Sequence, residues 1–199
     1  MNIRSADYSK RRYDRNIATC GKASHPALCD RGRLILSAVR DLVGQRLPAV
    51  CLQDFNGDPV DLERIAVGWV VYYFYPGTTD PVADGRDGPT EDASQHRAFS
   101  THQDAFGERH VRTIGVSSQR QREQLNTVVE HRISHGMLVD PSLILAHKLE
   151  LPTFELGERR WYRRLTLITQ DRIVRQVFYP LASAARNPEQ IFAWLQLRG

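Results

Sequence analysis

The sequence predicts an α/β three-layer sandwich built on a mixed sheet, with an extension before it. Strand-like runs alternate with helix-like stretches along most of the chain, which is the pattern of helices packed on both faces of a sheet. Two runs, 68–76 and 110–118, are apolar almost throughout and rich in β-branched and aromatic residues, as is typical of strands buried on both faces. A chain of 199 residues with 41% hydrophobic residues is large enough for one domain with a substantial core.

The first predicted element is a helix at 31–45, "RGRLILSAVRDLVGQ", where apolar residues recur at helical spacing and Gly44 provides a stop signal. The segment 1–46 is therefore predicted to be an extension, and the main domain is predicted to span 47–199. That domain opens with a hairpin whose strands at 49–55 and 59–62 flank an Asn-Gly turn.

The two buried strands follow this opening hairpin, and a second hairpin is predicted at 163–180, turning around Gln170 and Asp171. Polar stretches with helical periodicity complete the alternation. The predicted helices lie at 91–106, 119–132, 142–149 and 187–197.

Charge is distributed unevenly. Residues 1–46 contain ten Lys/Arg and four Asp/Glu, a net charge of +6, within a total of +4 for the chain. A basic arm of this kind can meet nucleic acid, an acidic partner or the protein's own surface, but no nucleic-acid-binding signature accompanies it. We interpret it as a solvated extension and expect no nucleic-acid partner. No run is long and apolar enough for a membrane span or a secretory signal, so we expect a cytoplasmic protein without a membrane partner.

The three cysteines are Cys20, Cys29 and Cys51. They are too few for a disulfide scaffold, and the spacing of the first two matches no common zinc or redox motif. No metal site and no cofactor are therefore predicted. Cys51 lies in an apolar strand, where a cysteine usually behaves as a small buried hydrophobe.

Several fragments, in this order and spacing, resemble one family. They are "LPAVCLQDFNGDPVDLERI" (47–65), "VVYYFYPGT" (70–78), "VRTIGVSSQ" (111–119), "HGMLVDPSLILAHKLELPTFE" (135–155) and "RRLTLITQDRIVRQVFYP" (163–180). Together they resemble the peroxiredoxin (AhpC/TSA redoxin) family, most closely its bacterioferritin-comigratory, or Q, type. The resemblance covers about 47–197 and implies a thioredoxin-like three-layer sandwich of peroxiredoxin type and a homodimer.

In that family the loop after a Tyr-Pro pair delivers a reactive cysteine to the first turn of a helix, and an arginine from a late strand lowers the pKa of its thiol. By this resemblance Pro76 is the family proline, and Arg164 is the family arginine. Aligning Phe99 with the helix phenylalanine places Asp92 at the peroxidatic position. Neither this alignment nor the alternative, in which Thr90 is the family threonine and Ala93 takes the position, supplies a thiol.

The candidate catalytic residues are therefore Asp92, Arg164 and Thr90, and the candidate ligand-binding residues are Pro76, Thr90, Ala93 and Arg164. Asp92 is interpreted either as a carboxylate facing Arg164 or as the N-cap of its helix, for which aspartate is a preferred residue. Thr90 either contacts a ligand or contributes to the same cap.

His96 and His102 are two further polar residues of this predicted helix. Asp92 and His96 are four residues apart, a weak metal-binding signal, and solvated positions are expected for His96 and His102.

Three functions remain open at this point. The first is a redoxin pocket repurposed to bind or convert a small molecule without thiol chemistry, which as an enzyme would be a peroxiredoxin relative with altered chemistry. The second is a non-catalytic partner or scaffold protein of redoxin fold. The third is a thiol-dependent peroxidase or oxidoreductase that uses Cys20 or Cys29.

Overall fold

The computed structural model describes residues 36–77 and 88–198. A seven-stranded mixed sheet lies at the centre, and a two-stranded hairpin lies apart from it. In chain order the strands are β1 (Cys51–Asp54), β2 (Pro59–Asp61), β3 (Trp69–Phe74), β4 (Val111–Ser117), β5 (Gly136–Val139), β6 (Thr153–Leu156), β7 (Arg159–Tyr162), β8 (Leu165–Gln170) and β9 (Ile173–Phe178).

Helices connect and cover these strands. They are α1, whose described residues are 36–40, α2 (Leu62–Ile65), α3 (Pro89–Thr101), α4 (Gln103–Gly107), α5 (Gln121–His131), α6 (Ile144–Leu149) and α7 (Asn187–Gln196). Over the described ranges, no helix combines the length and the apolar character that crossing a membrane requires.

The strand order of the large sheet is β2-β1-β5-β4-β3-β8-β9. Strands β3, β4 and β5 run parallel to one another, whereas β1 pairs antiparallel with β5 and β8 pairs antiparallel with β3. The carboxyl ends of the three parallel strands therefore meet at one edge of the sheet. The chain leaves β3 at this edge on its way to α3, and such an edge is where open α/β sheets place their ligands.

Strand β3 is buried on both faces, as its composition predicts. Val70, Tyr72 and Phe74 belong to a core cluster that also contains residues of α1, α2 and α6. The intervening residues, Val71 and Tyr73, belong to a second cluster with residues of α3, α5 and α7. Because side chains alternate across a strand, this division shows helices on both sides of the sheet and confirms the three-layer architecture.

The stretch predicted as one helix at 91–106 forms two helices. Helix α3 starts two residues earlier than predicted and ends at Thr101, where the His102 N–H bonds the Phe99 carbonyl at 3.2 Å in a tightened last turn. The amide of Gln103 caps the same carbonyl at 2.9 Å, and α4 begins at that residue. The β6–β7 hairpin was not predicted.

Cys51 is exposed, which corrects the expectation that it is buried. The reason is register: β1 turns Leu52 into the core, so its neighbour on the strand points away from the core. Cys20 and Cys29 lie outside the described residues.

The residues before the predicted domain boundary pack onto the domain. Val39 and Leu42 are buried in the first core cluster. The Gly44 N–H donates to the Val174 carbonyl at 2.8 Å, and Arg46 forms an isolated antiparallel β-bridge with Ile173, the first residue of β9. The helical residues end at 40 and turns follow, so the predicted helix at 31–45 stops short of its expected end. The boundary between 46 and 47 stays a prediction.

Candidate functional site

The chain leaves β3 through Tyr75, Pro76 and Gly77, and Gly88 is the N-cap of α3. Gly77 has a φ of +70°, a conformation that favours glycine, and a Cβ there would lie 2.5 Å from the Gln119 side chain. Its N–H donates to Asp92 Oδ2 at 2.9 Å, and its carbonyl accepts from Gln119 Nε2 at 3.1 Å. Gly77 thus joins the end of β3 both to α3 and to Gln119, two residues after the end of β4.

A buried ion pair joins Asp92, in the first turns of α3, to Arg164, the residue before β8. Arg164 Nη2 donates to Asp92 Oδ1 at 2.7 Å, and the two side chains are only 4% and 8% exposed. Arg164 Nη1 donates to Gln95 Oε1. Asp92 and Gln95 are three residues apart and share a helix face, while Arg164 immediately precedes β8 and approaches that face from the sheet. Each charge is therefore compensated in a place that water scarcely reaches.

The N-cap interpretation of Asp92 is wrong. The N-cap of α3 is Gly88, without a side-chain cap, and the helix begins at Pro89. The Asp92 carboxylate lies inside the first turns and accepts from Gly77 and Arg164 instead. Thr90 does not cap the helix either. It is exposed, and its carbonyl accepts a hydrogen bond from Ser94 Oγ at 2.9 Å.

A cavity of about 270 Å³ adjoins the ion pair. It lies between α3 and α5, and its lining includes Tyr75, Asp92, Ala93, His96, Glu130 and His131. Only one of the predicted ligand-binding residues lines this cavity. Ala93 lines the cavity together with Asp92, whereas Pro76, Thr90 and Arg164 are not part of its lining. Pro76 is buried.

His96 is fully buried, which corrects the expectation of a solvated side chain. Its ring packs edge-on against Tyr75, with centroids 4.4 Å apart, and stacks against His131 at 5.3 Å. Burial lowers the pKa of His96 well below its usual value, and the neighbouring His131, His135 and Arg164 lower it further. A signal existed in the sequence, because Asp92, His96 and Phe99 recur at the spacing of one helix face.

His102 is half-buried rather than solvated. Its Nδ1 lies 2.8 Å from the Ala98 carbonyl, and its ring packs against Phe192 of α7. It therefore belongs to the packing of α3 on α7 and not to the cavity.

The hydroxyl of Tyr73 lies between two histidines. Tyr73 Oη is 3.2 Å from His96 Nδ1 and 2.7 Å from His135 Nε2. Burial raises the pKa of Tyr73 well above its usual value and lowers the pKa of His135 to about 4. The sheet leaves room for this hydroxyl at Gly115, where a Cβ would lie 2.7 Å from Tyr73 Oη.

His135 also borders a second cavity. This groove has a volume of about 510 Å³ and a mainly apolar lining that includes Phe55, Ile65, Ile114 and Met137. It lies near the amino ends of β4 and β5, away from the edge that carries Asp92. Within the described residues, no group of three or more His, Cys, Asp or Glu side chains is arranged to hold a metal ion.

The sheet order, the helix that follows β3 and the arginine before β8 define a thioredoxin-like fold of peroxiredoxin type. The AhpC/TSA family model matches residues 43–177, and the chain belongs to that family. No curated protein gives a significant match.

Solved structures agree on the fold. Peroxidoxin BcpB from Mycobacterium tuberculosis matches with a TM-score of 0.67 and 21% identity, over 79% of this chain and 97% of that one. The bacterioferritin comigratory protein of Xanthomonas campestris matches with a TM-score of 0.63 and 18% identity, over 78% and 98%. Reduced Prx3 of Vibrio vulnificus, solved with hydrogen peroxide, matches with a TM-score of 0.65 and 19% identity, over 77% and 95%. At these identities the likeness establishes the fold.

Proposed function

We propose that this protein is a redoxin-fold protein whose peroxidatic position is taken by Asp92, and that the cavity beside Asp92 binds or converts a small molecule without thiol chemistry. The observation that supports this proposal is the buried Asp92–Arg164 pair. In a thiol peroxidase of this family the arginine faces a cysteine thiolate; here it donates to a carboxylate and to Gln95.

A carboxylate cannot perform the chemistry of that thiolate. Peroxide reduction needs a sulfur that attacks one peroxide oxygen and is itself oxidised to a sulfenic acid. The sequence has no cysteine after Cys51, so α3 supplies none. Asp92 and Gln95 accept hydrogen bonds from the two terminal nitrogens of Arg164, and Asp92 also lines the 270 Å³ cavity, which is the place that we propose for a ligand.

The contacts favour Asp92 over Ala93 as the residue at the peroxidatic position. Asp92 bonds Arg164, whereas Ala93 is half-buried on the cavity wall. Two variants in a background of Cys20→Ser, Cys29→Ser and Cys51→Ser test the assignment. The thiol of Asp92→Cys, beside Arg164, is expected to react with iodoacetamide at lower pH than the thiol of Ala93→Cys. The opposite order assigns the position to Ala93.

Hydrogen peroxide consumption with excess dithiothreitol tests the loss of peroxidase chemistry. We expect no turnover that depends on the protein. Rapid turnover that disappears in the Cys20→Ser/Cys29→Ser variant would establish the thiol-dependent alternative and overturn the proposal.

Ligand binding to the cavity is tested with a fragment library and the variant Ala93→Leu, which fills the cavity from its wall. Arg97→Leu is the matched control, because Arg97 is an exposed residue of the same helix outside the lining. Fragments that bind the wild type and Arg97→Leu but not Ala93→Leu support the proposal. The absence of any such fragment, with function unaffected by substitution of Asp92 or Arg164, favours the scaffold alternative. The homodimer stays a prediction, which sedimentation equilibrium tests.

A further inference from the structure

A chain of hydrogen bonds links the cavity beside Asp92 to the apolar groove. It runs from His96 Nδ1 through Tyr73 Oη to His135 Nε2, over distances of 3.2 Å and 2.7 Å. His96 lines the cavity, and His135 lines the groove. Each histidine has one remaining ring nitrogen, His96 Nε2 and His135 Nδ1, and neither nitrogen has a partner among the residues that the structure describes.

The Tyr73 hydroxyl has one proton to donate and two lone pairs, and it has three neighbours among the described residues: His96 Nδ1, His135 Nε2 and, at 3.3 Å, Met137 Sδ. If Tyr73 donates to His96 Nδ1, the proton of the neutral His96 ring is on Nε2, and that nitrogen is a donor. If Tyr73 donates to His135 Nε2, His96 donates its Nδ1 proton to Tyr73, and His96 Nε2 keeps a bare lone pair. If Tyr73 donates to Met137 Sδ, both histidines donate to the hydroxyl, and His96 Nε2 again keeps its lone pair.

The distances favour the second arrangement. Bonds from a hydroxyl are short, with a mode of about 2.7–2.8 Å, whereas N–H···O bonds are longer, at about 2.9–3.0 Å. The 2.7 Å contact therefore fits a hydroxyl donating to His135, and the 3.2 Å contact fits an N–H of His96 donating to the hydroxyl. Burial keeps both rings neutral, as the lowered pKa values of His96 and His135 indicate.

The charges around the cavity favour an uncharged or cationic ligand over an anionic one. Among the lining residues that the structure describes, the Asp92 carboxylate is balanced by Arg164, while Glu130 is exposed and contributes a negative charge. An anionic ligand is disfavoured there, and an uncharged or cationic ligand is not.

We infer that the cavity beside Asp92 accepts a small hydrogen-bond donor, uncharged or cationic, which His96 Nε2 recognises as an acceptor while Tyr73 and His135 act as positioning residues. The inference rests on the proposed function, in which this cavity is the ligand site. His96 Nε2 is shielded from solvent. The half-buried ring of His131 stacks on His96 and also lines the cavity, so its removal in His131→Ala is expected to ease access to His96.

The tautomers are measured directly by ¹⁵N NMR of the histidine side chains, in which a protonated and a bare ring nitrogen give well-separated shifts. The expected result is His96 protonated on Nδ1 and His135 protonated on Nδ1. Tyr73→Phe removes the shared hydroxyl, and we expect the ring nitrogens of His96 to shift toward a mixture of tautomers. The matched control is Tyr72→Phe, because the Tyr72 hydroxyl is also buried, on the opposite face of β3, and has no partner among the described residues.

Two neutral probes of the same size test the ligand class. Phenol donates a hydrogen bond through its O–H, whereas pyridine N-oxide only accepts. We expect phenol to change the ¹⁵N chemical shift of His96 Nε2, and to change it more strongly in His131→Ala. We expect pyridine N-oxide to leave that chemical shift unchanged.

The outcomes separate the inference from the proposed function. His96 protonated on Nε2, or a stronger response to pyridine N-oxide than to phenol, overturns the inference and leaves the cavity as a ligand site. If neither probe changes the NMR chemical shifts of any residue of the cavity, in the wild type or in His131→Ala, both the proposed function and the inferred ligand class fail.

Discussion

The Asp92–Arg164 pair gives the sharpest prediction about stability, and the perturbation is Asp92→Ala. The substitution removes the Asp92 carboxylate from the Arg164 side chain, which is 4% exposed, and it removes the acceptor of the Gly77 N–H. Because the site is nearly closed to water, solvent cannot replace the lost partner. Breaking a buried pair in this way costs about 3–5 kcal/mol in the free energy of unfolding. Domains of ordinary stability have only about 5–15 kcal/mol.

Urea denaturation followed by far-ultraviolet circular dichroism measures this cost. With a denaturant slope of about 2 kcal/mol per molar, the midpoint falls by roughly 2 M. Asp104→Ala is the control, because Asp104 is an exposed aspartate on the neighbouring helix α4, and its removal is expected to change the free energy of unfolding by less than about 1 kcal/mol.

A double variant, Asp92→Ala/Arg164→Met, tests whether the cost comes from the loss of the Asp92–Arg164 ion pair. Replacing both members of a buried pair by apolar groups is often nearly neutral. The double variant should therefore lose less stability than Asp92→Ala alone. A loss below about 1 kcal/mol for the single variant, or simple additivity in the double variant, would refute this account of the site.

Two other perturbations have defined outcomes. Burial lowers the pKa of His135 to about 4, whereas the unfolded chain takes up this proton near 6.5, so stability is lost as the pH falls from 6.5 toward 4 and is unaffected above that window. Urea midpoints measured against pH test this, and His135→Gln should flatten the dependence. Gly115→Ala places a Cβ 2.4 Å from Met137 Sδ and 2.7 Å from Tyr73 Oη, and thermal melting should show a loss of about 1–3 kcal/mol. Gly136→Ala, with its nearest neighbour at 3.5 Å, should leave the melting temperature nearly unchanged.

The buried central strands were the most predictable part of the fold, whereas the β6–β7 hairpin was not predicted. The 68–76 run predicted a strand buried on both faces, and β3 sends alternate residues into the two core clusters. The second hairpin is also present, although its turn lies at Asp171 and Arg172, one residue later than predicted, because Gln170 still pairs with Ile173. These features depend on local composition and a two-residue period, which the sequence displays directly.

Helix ends and burial were less predictable. The break at His102 depends on hydrogen bonds in the last turn of α3, and composition does not encode which residue makes them. Cys51 and His96 were assigned the wrong exposure for a related reason. An apolar neighbourhood suggested burial for Cys51 and a polar one suggested solvent for His96, but the direction in which each backbone element faces the core decided both.

The family resemblance, the three-layer class and the absence of a cysteine after Cys51 follow from the order of residues alone. The contact between Asp92 and Arg164 depends on the folded chain, since 72 residues separate them. The same is true of the contacts of Tyr73 with His96 and His135, over separations of 23 and 62 residues. Contacts of this kind form where the helices pack on the sheet. A local pattern of residues does not show which residues distant in the sequence will meet there.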